Sequence, residues 1–542
     1  MSDSPKFNPD VHADVCLLLE GTYPYVRGGV STWVKQLIEG MPDLTFSIVF
    51  LGASPDEYDG PAYDIPSNVL HIENHYLMIS DDEPVAKKKL WARKADKTAL
   101  FDRNTQLHDM LKDAGSERKE VPAEVIRDFT NLTSGKDSIT RTDLFHSEES
   151  WNAIREKYID APEGLDFNHF FWTVRTMHSP LFTLANIVEN APSASMYHSV
   201  STGYAGFLGA MLKNKTGAPY IITEHGIYTK EREIDLAHVD WIPEELDPFK
   251  VGLDDSMGYL RQTWIRFFRS LGRMSYSAAD HIYTLYNGNR ERQIEDGAPE
   301  SRLTIIPNGV AVQTLCKIRR ADDAPIPPVL ALIGRIVPIK DIKSFIRGMR
   351  IICAKIPDAQ GWLVGPEVED RSYVEECKAL VASLGLENNI QFMGFQKLDD
   401  IFPQIGLTVL TSISEGQPLT TLEGFAAGIP AVTTDVGSCH ELIFGNTEED
   451  RAIGAAGAVV PIANPAAFAE AVIPLLTDTN KWQSARDAGI ARVEKYYNDA
   501  DMLERYHSIY LDQIAKVPMV DSTQPSEASA TEQAPVKKAG GF

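Results

Sequence analysis

The sequence lacks what would carry a chain into a membrane or onto a polyanion. Within its 542 residues no apolar run approaches the roughly 20 residues that span a bilayer. The opening stretch, residues 1–10, is acidic and has no basic-then-apolar export signal, so a cytoplasmic protein is expected. Positive charge is short: 52 Lys and Arg against 76 Asp and Glu leave a net charge of −24. That balance argues against nucleic acid binding over the whole surface, so no nucleic-acid partner is expected, and an anionic ligand would need its own basic pocket. Cysteine is also sparse. Cys16, Cys316, Cys353, Cys377 and Cys439 lie far apart, mostly in apolar runs, with no CxxC pair, and read as reduced thiols of a cytosolic protein rather than a disulfide framework.

What is present is ordinary globular material, 43% hydrophobic and 24% charged, in a chain too long for one core. Short apolar runs alternate with helical periodicities, which predicts an α/β fold of two doubly wound domains. The expected order is a flexible N-terminus (1–12), a first domain (13–318) with a mainly helical insertion over about 75–195, and a Pro-rich linker (319–328). A second domain (329–497), a C-terminal helix (498–517) and a disordered tail (518–542) follow. In the insertion, Lys87–Lys89 read as a solvated helix face and Phe167, Phe170, Phe171 and Trp172 as core.

The candidate chemistry sits where runs end. Val15–Leu19 leads to Gly28-Gly29 at a strand-to-helix turn; this is either a plain tight turn or a place where backbone amides and a helix N-terminus meet an anion. Glu224-His225-Gly226 follows the strand of residues 219–223, and His225 is either structural or a ligand contact at a strand end. Glu231, Glu233 and Trp241 belong to a loop or helical lid overhanging the same edge. Asn308 lies in the turn Pro307–Val310. In the second half, Gly334-Arg335 and Lys340 are either surface cations at a helix start or a clamp for a diphosphate. Gly365 ends the next strand. The run Ser412-Ile-Ser-Glu415-Gly416-Gln417-Pro418-Leu419-Thr-Thr-Leu-Glu423 feeds a helix between two strands. Its two carboxylates either cap and coat that helix or bind the vicinal hydroxyls of a ribose or a hexose.

Together, Glu415 and Glu423 with Gly416, Pro418, Gly428-Ile-Pro430 and Gly437, preceded by Gly334-Arg335 and Lys340, resemble the signature of retaining GT4 glycosyltransferases of the GT-B fold. The strings around Leu18–Ser31, Ser201–Gly206, Thr223–Glu231, Tyr286–Arg290 and Ser412–Pro418 narrow this to the PelF-like members, which serve Pel exopolysaccharide synthesis. The resemblance implies a UDP-sugar donor, a polysaccharide acceptor and an inner-membrane Pel synthesis complex as partner, with no cofactor and no metal. The Asp-x-Asp at Asp499 and Asp501 falls in the C-terminal region. By the same resemblance Arg335 and Lys340 hold the diphosphate, Glu423 the ribose and Glu415 the donor-sugar hydroxyls, with His225 beside the transferred sugar. Gly28 and Gly29 approach the phosphates, while Gly416, Gln417, Pro418 and Leu419 line the donor and Glu224, Asn308 and Gly365 lie elsewhere in the cleft. A glycogen- or sucrose-synthase-like transferase and a nucleotide-binding scaffold without transfer are the alternatives.

Overall fold

The computed structural model describes residues 11–78, 97–116, 120–134, 138–162, 164–238, 242, 258–321 and 324–516. Lys87–Lys89, Trp241 and the tail from 518 fall outside them. The apolar runs form parallel strands because they have no polar alternate face and must be covered on both sides. The first sheet contains β1 (His12–Glu20), β2 (Phe46–Gly52), β3 (Val69–Tyr76), β4 (Ser193–Ser199), β5 (Tyr220–Glu224), β6 (His281–Thr284) and β7 (Leu303–Ile305). Its order is β3-β2-β1-β4-β5-β6-β7, with every pair parallel. The second contains β8 (Val329–Ile333), β9 (Gln360–Val364), β10 (Ile390–Gly394), β11 (Leu407–Leu410), β12 (Ala431–Thr434) and β13 (Gly457–Val460). Its order is β10-β9-β8-β11-β12-β13, again parallel throughout.

Helices cover both faces of each sheet, giving two apolar clusters per sheet. This is the GT-B plan of two Rossmann-like domains. In each sheet the winding reverses once, between β1 and β4 and between β8 and β11. Ligands bind outside the strand carboxyl ends at such reversals. The turn with Gly28-Gly29 leaves β1, the turn with Arg335 and Lys340 leaves β8, and the Glu415 loop leaves β11.

The helical insertion stands between β3 and β4 as the helices Thr98–Ser116, Ala123–Thr133, Arg141–His146, Glu148–Ile159 and Phe167–Asn190. One expectation fails there. Phe170 is buried, but Trp172 is 52% exposed, because two residues along a helix turn the side chain to the opposite face.

The chain crosses between domains twice at one place. Val310 donates its N–H to the Tyr497 carbonyl (2.9 Å) and Asp499 donates back to the Val310 carbonyl (3.1 Å). The final helix, Asp499–Ile514, then returns to the first domain and buries Met502, Tyr506 and Tyr510 in the cluster of Val15, Leu17 and Trp33. Among the described residues no helix is long and apolar enough to cross a membrane.

Candidate active site at the seam between the two sheets

Lys340 ends a single 3-10 turn, Pro338–Lys340, just before the helix Ile342–Cys353. Asp341 between them takes φ 43° and ψ 53°, the left-handed region that Asp tolerates better than most residues, and its carboxylate accepts the Ser344 N–H at 3.2 Å. That kink is tied to the Glu415 loop. Ile413 donates its N–H to the Ile339 carbonyl (2.9 Å), and the Thr411 hydroxyl donates to the Lys340 and Asp341 carbonyls (3.0 and 3.1 Å). The outcome is an ion pair: Lys340 Nζ lies 2.5 Å from Glu415 Oε1, which also accepts the Ser412 hydroxyl at 2.5 Å. The two residues, 75 apart in sequence, form one partly buried unit.

Arg335 is held elsewhere. It is half exposed and pairs with Glu369 at 2.9 Å, away from the Lys340–Glu415 pair. Exposed pairs of this kind are worth about 0–1 kcal/mol, so the guanidinium can leave Glu369 for another anion at little cost. Gly365 backs the Arg335 turn: a Cβ there would meet the Gly334 carbonyl oxygen at 1.9 Å.

Glu423 lies in the helix Leu419–Ala426. Its side chain is partly buried, no hydrogen bond or ion pair engages it among the described residues, and desolvation pushes its pKa up to about 7. A carboxylate so placed gains from hydroxyl donors, because they stabilise its charged form.

The first domain meets this loop edge to edge. A Cβ on Gly416 would sit 2.5 Å from the His225 carbonyl oxygen, so only glycine allows the two backbones to approach as they do. His225 is buried against Trp33, with ring centroids 4.5 Å apart in an edge-on contact. Neither ring nitrogen has a partner, and burial lowers the pKa to about 4, so a neutral imidazole faces the seam at neutral pH. Buried polar atoms are rarely left unpaired, and an orphan at a crevice marks a place for ligand or water. Asn308 Oδ1 and Ser438 Oγ are further buried orphans of the same seam. Ser438 donates its N–H to the Gly416 carbonyl at 2.9 Å.

Several expected contacts take other roles. The Glu224 carboxylate is saturated: it accepts from Thr202 Oγ1 (2.9 Å), Gln293 Nε2 (2.8 Å), the Tyr228 N–H (3.0 Å) and the Tyr276 hydroxyl, and burial still raises its pKa. These bonds hold the end of β5 in place. Gln417 Oε1 accepts the Asn308 N–H at 2.6 Å, bridging the domains. Pro418 precedes the first turn of the Glu423 helix, and Leu419 meets the first domain at Gly29, where a Cβ would lie 3.8 Å from its Cδ1. Gly28 and Gly29 are exposed at the start of the helix Gly29–Glu39, which has no side-chain cap and no acidic residue in its first turn; the Gly28 N–H donates to the Tyr63 hydroxyl at 3.4 Å, and the first helical amides lack a side-chain acceptor.

Sequence reasoning missed Ser412, which fixes Glu415, and Ser438. Only their positions beside Glu415 and Gly437 hinted at them. Asp499 does not join the seam; it backs Gly309 at the domain crossing. Among the described residues no group of three or more His, Cys, Asp or Glu is placed to hold a metal ion.

Residues 13–301 match the family model described as "Domain of unknown function (DUF3492)", and residues 327–478 match "Glycosyl transferases group 1". A lipopolysaccharide core biosynthesis mannosyltransferase of Rhizobium meliloti is 30% identical over 169 residues, 30% of this chain and 46% of that protein. The chain thus spans about half the length of that relative. An alpha-maltose-1-phosphate synthase of Mycolicibacterium smegmatis is 22% identical over 366 residues, covering 62% of this chain and 85% of the relative. Among solved structures, Anabaena HepE in complex with UDP and glucose superposes with TM-score 0.53 at 13% identity, over 92% of this chain and 100% of that one. Sucrose-phosphate synthase from Thermosynechococcus elongatus gives 0.52 at 15% identity, over 93% and 99%. At these identities the structural likeness is one of fold.

Proposed function

The chain belongs to the PelF-type GT4 glycosyltransferase family, whose two matched regions it carries in order, and we propose that it is a retaining, metal-independent hexosyltransferase. In this reading it moves a hexose or hexosamine from a UDP-sugar onto a growing exopolysaccharide of the Pel type, in company with an inner-membrane synthesis complex. The observation that carries the reading is the Lys340–Glu415 pair at one winding reversal, facing the unpartnered His225 across a glycine-lined seam.

Each part has a task in transfer. When the bond from the anomeric carbon to the diphosphate lengthens, negative charge grows on phosphate and positive charge on the sugar. Lys340, Arg335 and the helix N-terminus at Gly29 stabilise the first, and preorganised donors of this kind lower a barrier because they need not reorient. Glu415 accepts hydroxyls of the donor sugar and Glu423 those of the ribose. His225, neutral at working pH, offers a hydrogen bond to the transferred sugar without adding a cation beside the developing positive charge. The acceptor oxygen attacks on the face the diphosphate leaves, and its proton passes to the departing phosphate.

Lys340→Ala and Glu415→Ala are each expected to lower UDP release from the UDP-sugar that the wild type uses by about 10²–10³-fold, with circular dichroism and melting profile kept. Wild-type turnover in either variant contradicts the site.

A further inference from the structure

One carboxylate at the seam has no role in that scheme. Glu231 stands in the first turn of the helix Tyr228–His238, which follows His225-Gly226 directly. The residue stands at the surface with its carboxylate turned in against Gly226, and among the described residues no hydrogen bond or ion pair engages that carboxylate. Arg232 beside it pairs with Asp235 at 3.5 Å and lies over the Tyr228 ring, and Arg269 from the neighbouring helix is taken up by Glu233.

Its position is set by missing side chains. A Cβ on Gly226 would lie 2.1 Å from Glu231 Oε1, and the nearest atoms beyond its chain neighbours all belong to the Glu231 carboxylate. The carboxylate therefore rests on the bare Gly226 backbone. Gly226 Cα in turn lies 3.8 Å from where a Cβ on Gly416 would be. The sequence of groups across the seam is Glu231, Gly226, Gly416, Glu415: two carboxylates joined by a lane of two glycine backbones in contact, bare of side chains. A donor sugar held by Glu415 would put its anomeric carbon toward that lane.

We propose that Glu231 orients the attacking oxygen: it accepts a hydrogen bond from an acceptor hydroxyl next to the attacking one, or, where water is the acceptor, from one of its two hydrogens, so that the attacking oxygen aims a lone pair at the anomeric carbon and keeps a proton free for the leaving diphosphate. The inference rests on the glycosyltransferase reading. In the step, the oxygen–anomeric carbon bond forms as the bond from that carbon to the diphosphate breaks, and the hydroxyl proton goes to the leaving diphosphate. Desolvation, then repulsion from Glu224 at the end of β5 and from Asp235, against Arg232 and Lys230, pushes the Glu231 pKa up to about 7. The ionised, accepting form therefore gains population as pH rises through neutrality.

The test uses the full chain, UDP affinity by calorimetry, and UDP release to water from UDP-glucose, UDP-galactose and their N-acetylhexosamine counterparts. Glu231→Ala is expected to lower UDP release at saturating donor by about 10²-fold with UDP affinity unchanged, Glu231→Asp to restore part of it, and Glu231→Gln to remove the acid limb near pH 7 of the rate at saturating donor. Gly226→Ala sets its methyl first against the Glu231 carboxylate, so it should lower the rate alone and add nothing to Glu231→Ala. Full rates with an unchanged acid limb in Glu231→Gln, or additive losses in the double variant, overturn the role of Glu231. A wild type that binds none of these donors overturns instead the reading beneath it.

Discussion

At the residue scale the site is a set of charges and orphans whose states depend on burial. Glu423 is protonated in the ligand-free fold up to about pH 7, whereas an unfolded glutamate ionises near 4.5. A raised carboxyl pKa contributes stability that is whole below the unfolded value and is lost as pH rises through the folded one. Glu423→Gln should therefore leave the melting temperature unchanged at pH 4.5 and raise it at pH 8. His225, lowered from 6.5 to about 4, acts in the opposite sense and costs stability as pH falls between those values. If ribose hydroxyls bind ionised Glu423, UDP affinity should rise with pH through 7 in the wild type and stay flat in Glu423→Gln. Calorimetry at pH 6 and 8 measures both, and an equal pH dependence in the two proteins would remove Glu423 from the ribose site.

At the scale of elements, the strands were legible because Val15–Leu19 and Val329–Ile333 are apolar without alternation and Leu407–Leu410 is broken only by Thr408. The loop of Glu415 was legible because a polar run between strand and helix is where an α/β sheet places ligands. What could not be read were contacts between residues far apart in sequence. Nothing local says that Lys340 will sit on Glu415, that Gln417 will be drawn to the Asn308 amide, or that His225 will lack partners. The final helix shows the same limit. Met502, Tyr506 and Tyr510 read as an apolar stripe, but the stripe does not say which domain it covers. In the structure it covers the first: Tyr510 bonds His198 Nδ1 at 2.7 Å, Tyr506 bonds the Thr223 hydroxyl at 3.0 Å, and Trp33 Nε1 donates to Met502 sulfur at 3.2 Å. Since Trp33 also packs His225, the helix supports the site through one ring. Tyr506→Ala should cost about 3–5 kcal/mol by the cavity it leaves, and Tyr506→Phe about 1 kcal/mol for the lost hydrogen bond. Urea unfolding gives both values, and a loss under 1 kcal/mol for Tyr506→Ala would mean that the helix is not integral to the first domain.

At the scale of the whole molecule, two winding reversals in separate sheets face each other, and the groups suited to a nucleotide-sugar lie on both sides of the seam. Net charge explains the local design. In a chain at −24, the proposed anionic donor would have to be held by a few cations and a helix N-terminus placed at strand ends, not by a general surface field. The central claim is that this seam turns over a UDP-sugar. The direct measurement offers the purified protein labelled UDP-, ADP- and GDP-sugars side by side and follows release of the nucleotide, with Lys340→Ala in parallel. The predicted result is consumption of a UDP-sugar by the wild type and its loss in the variant. Consumption of ADP-sugars alone, or equal consumption by wild type and Lys340→Ala, would contradict it.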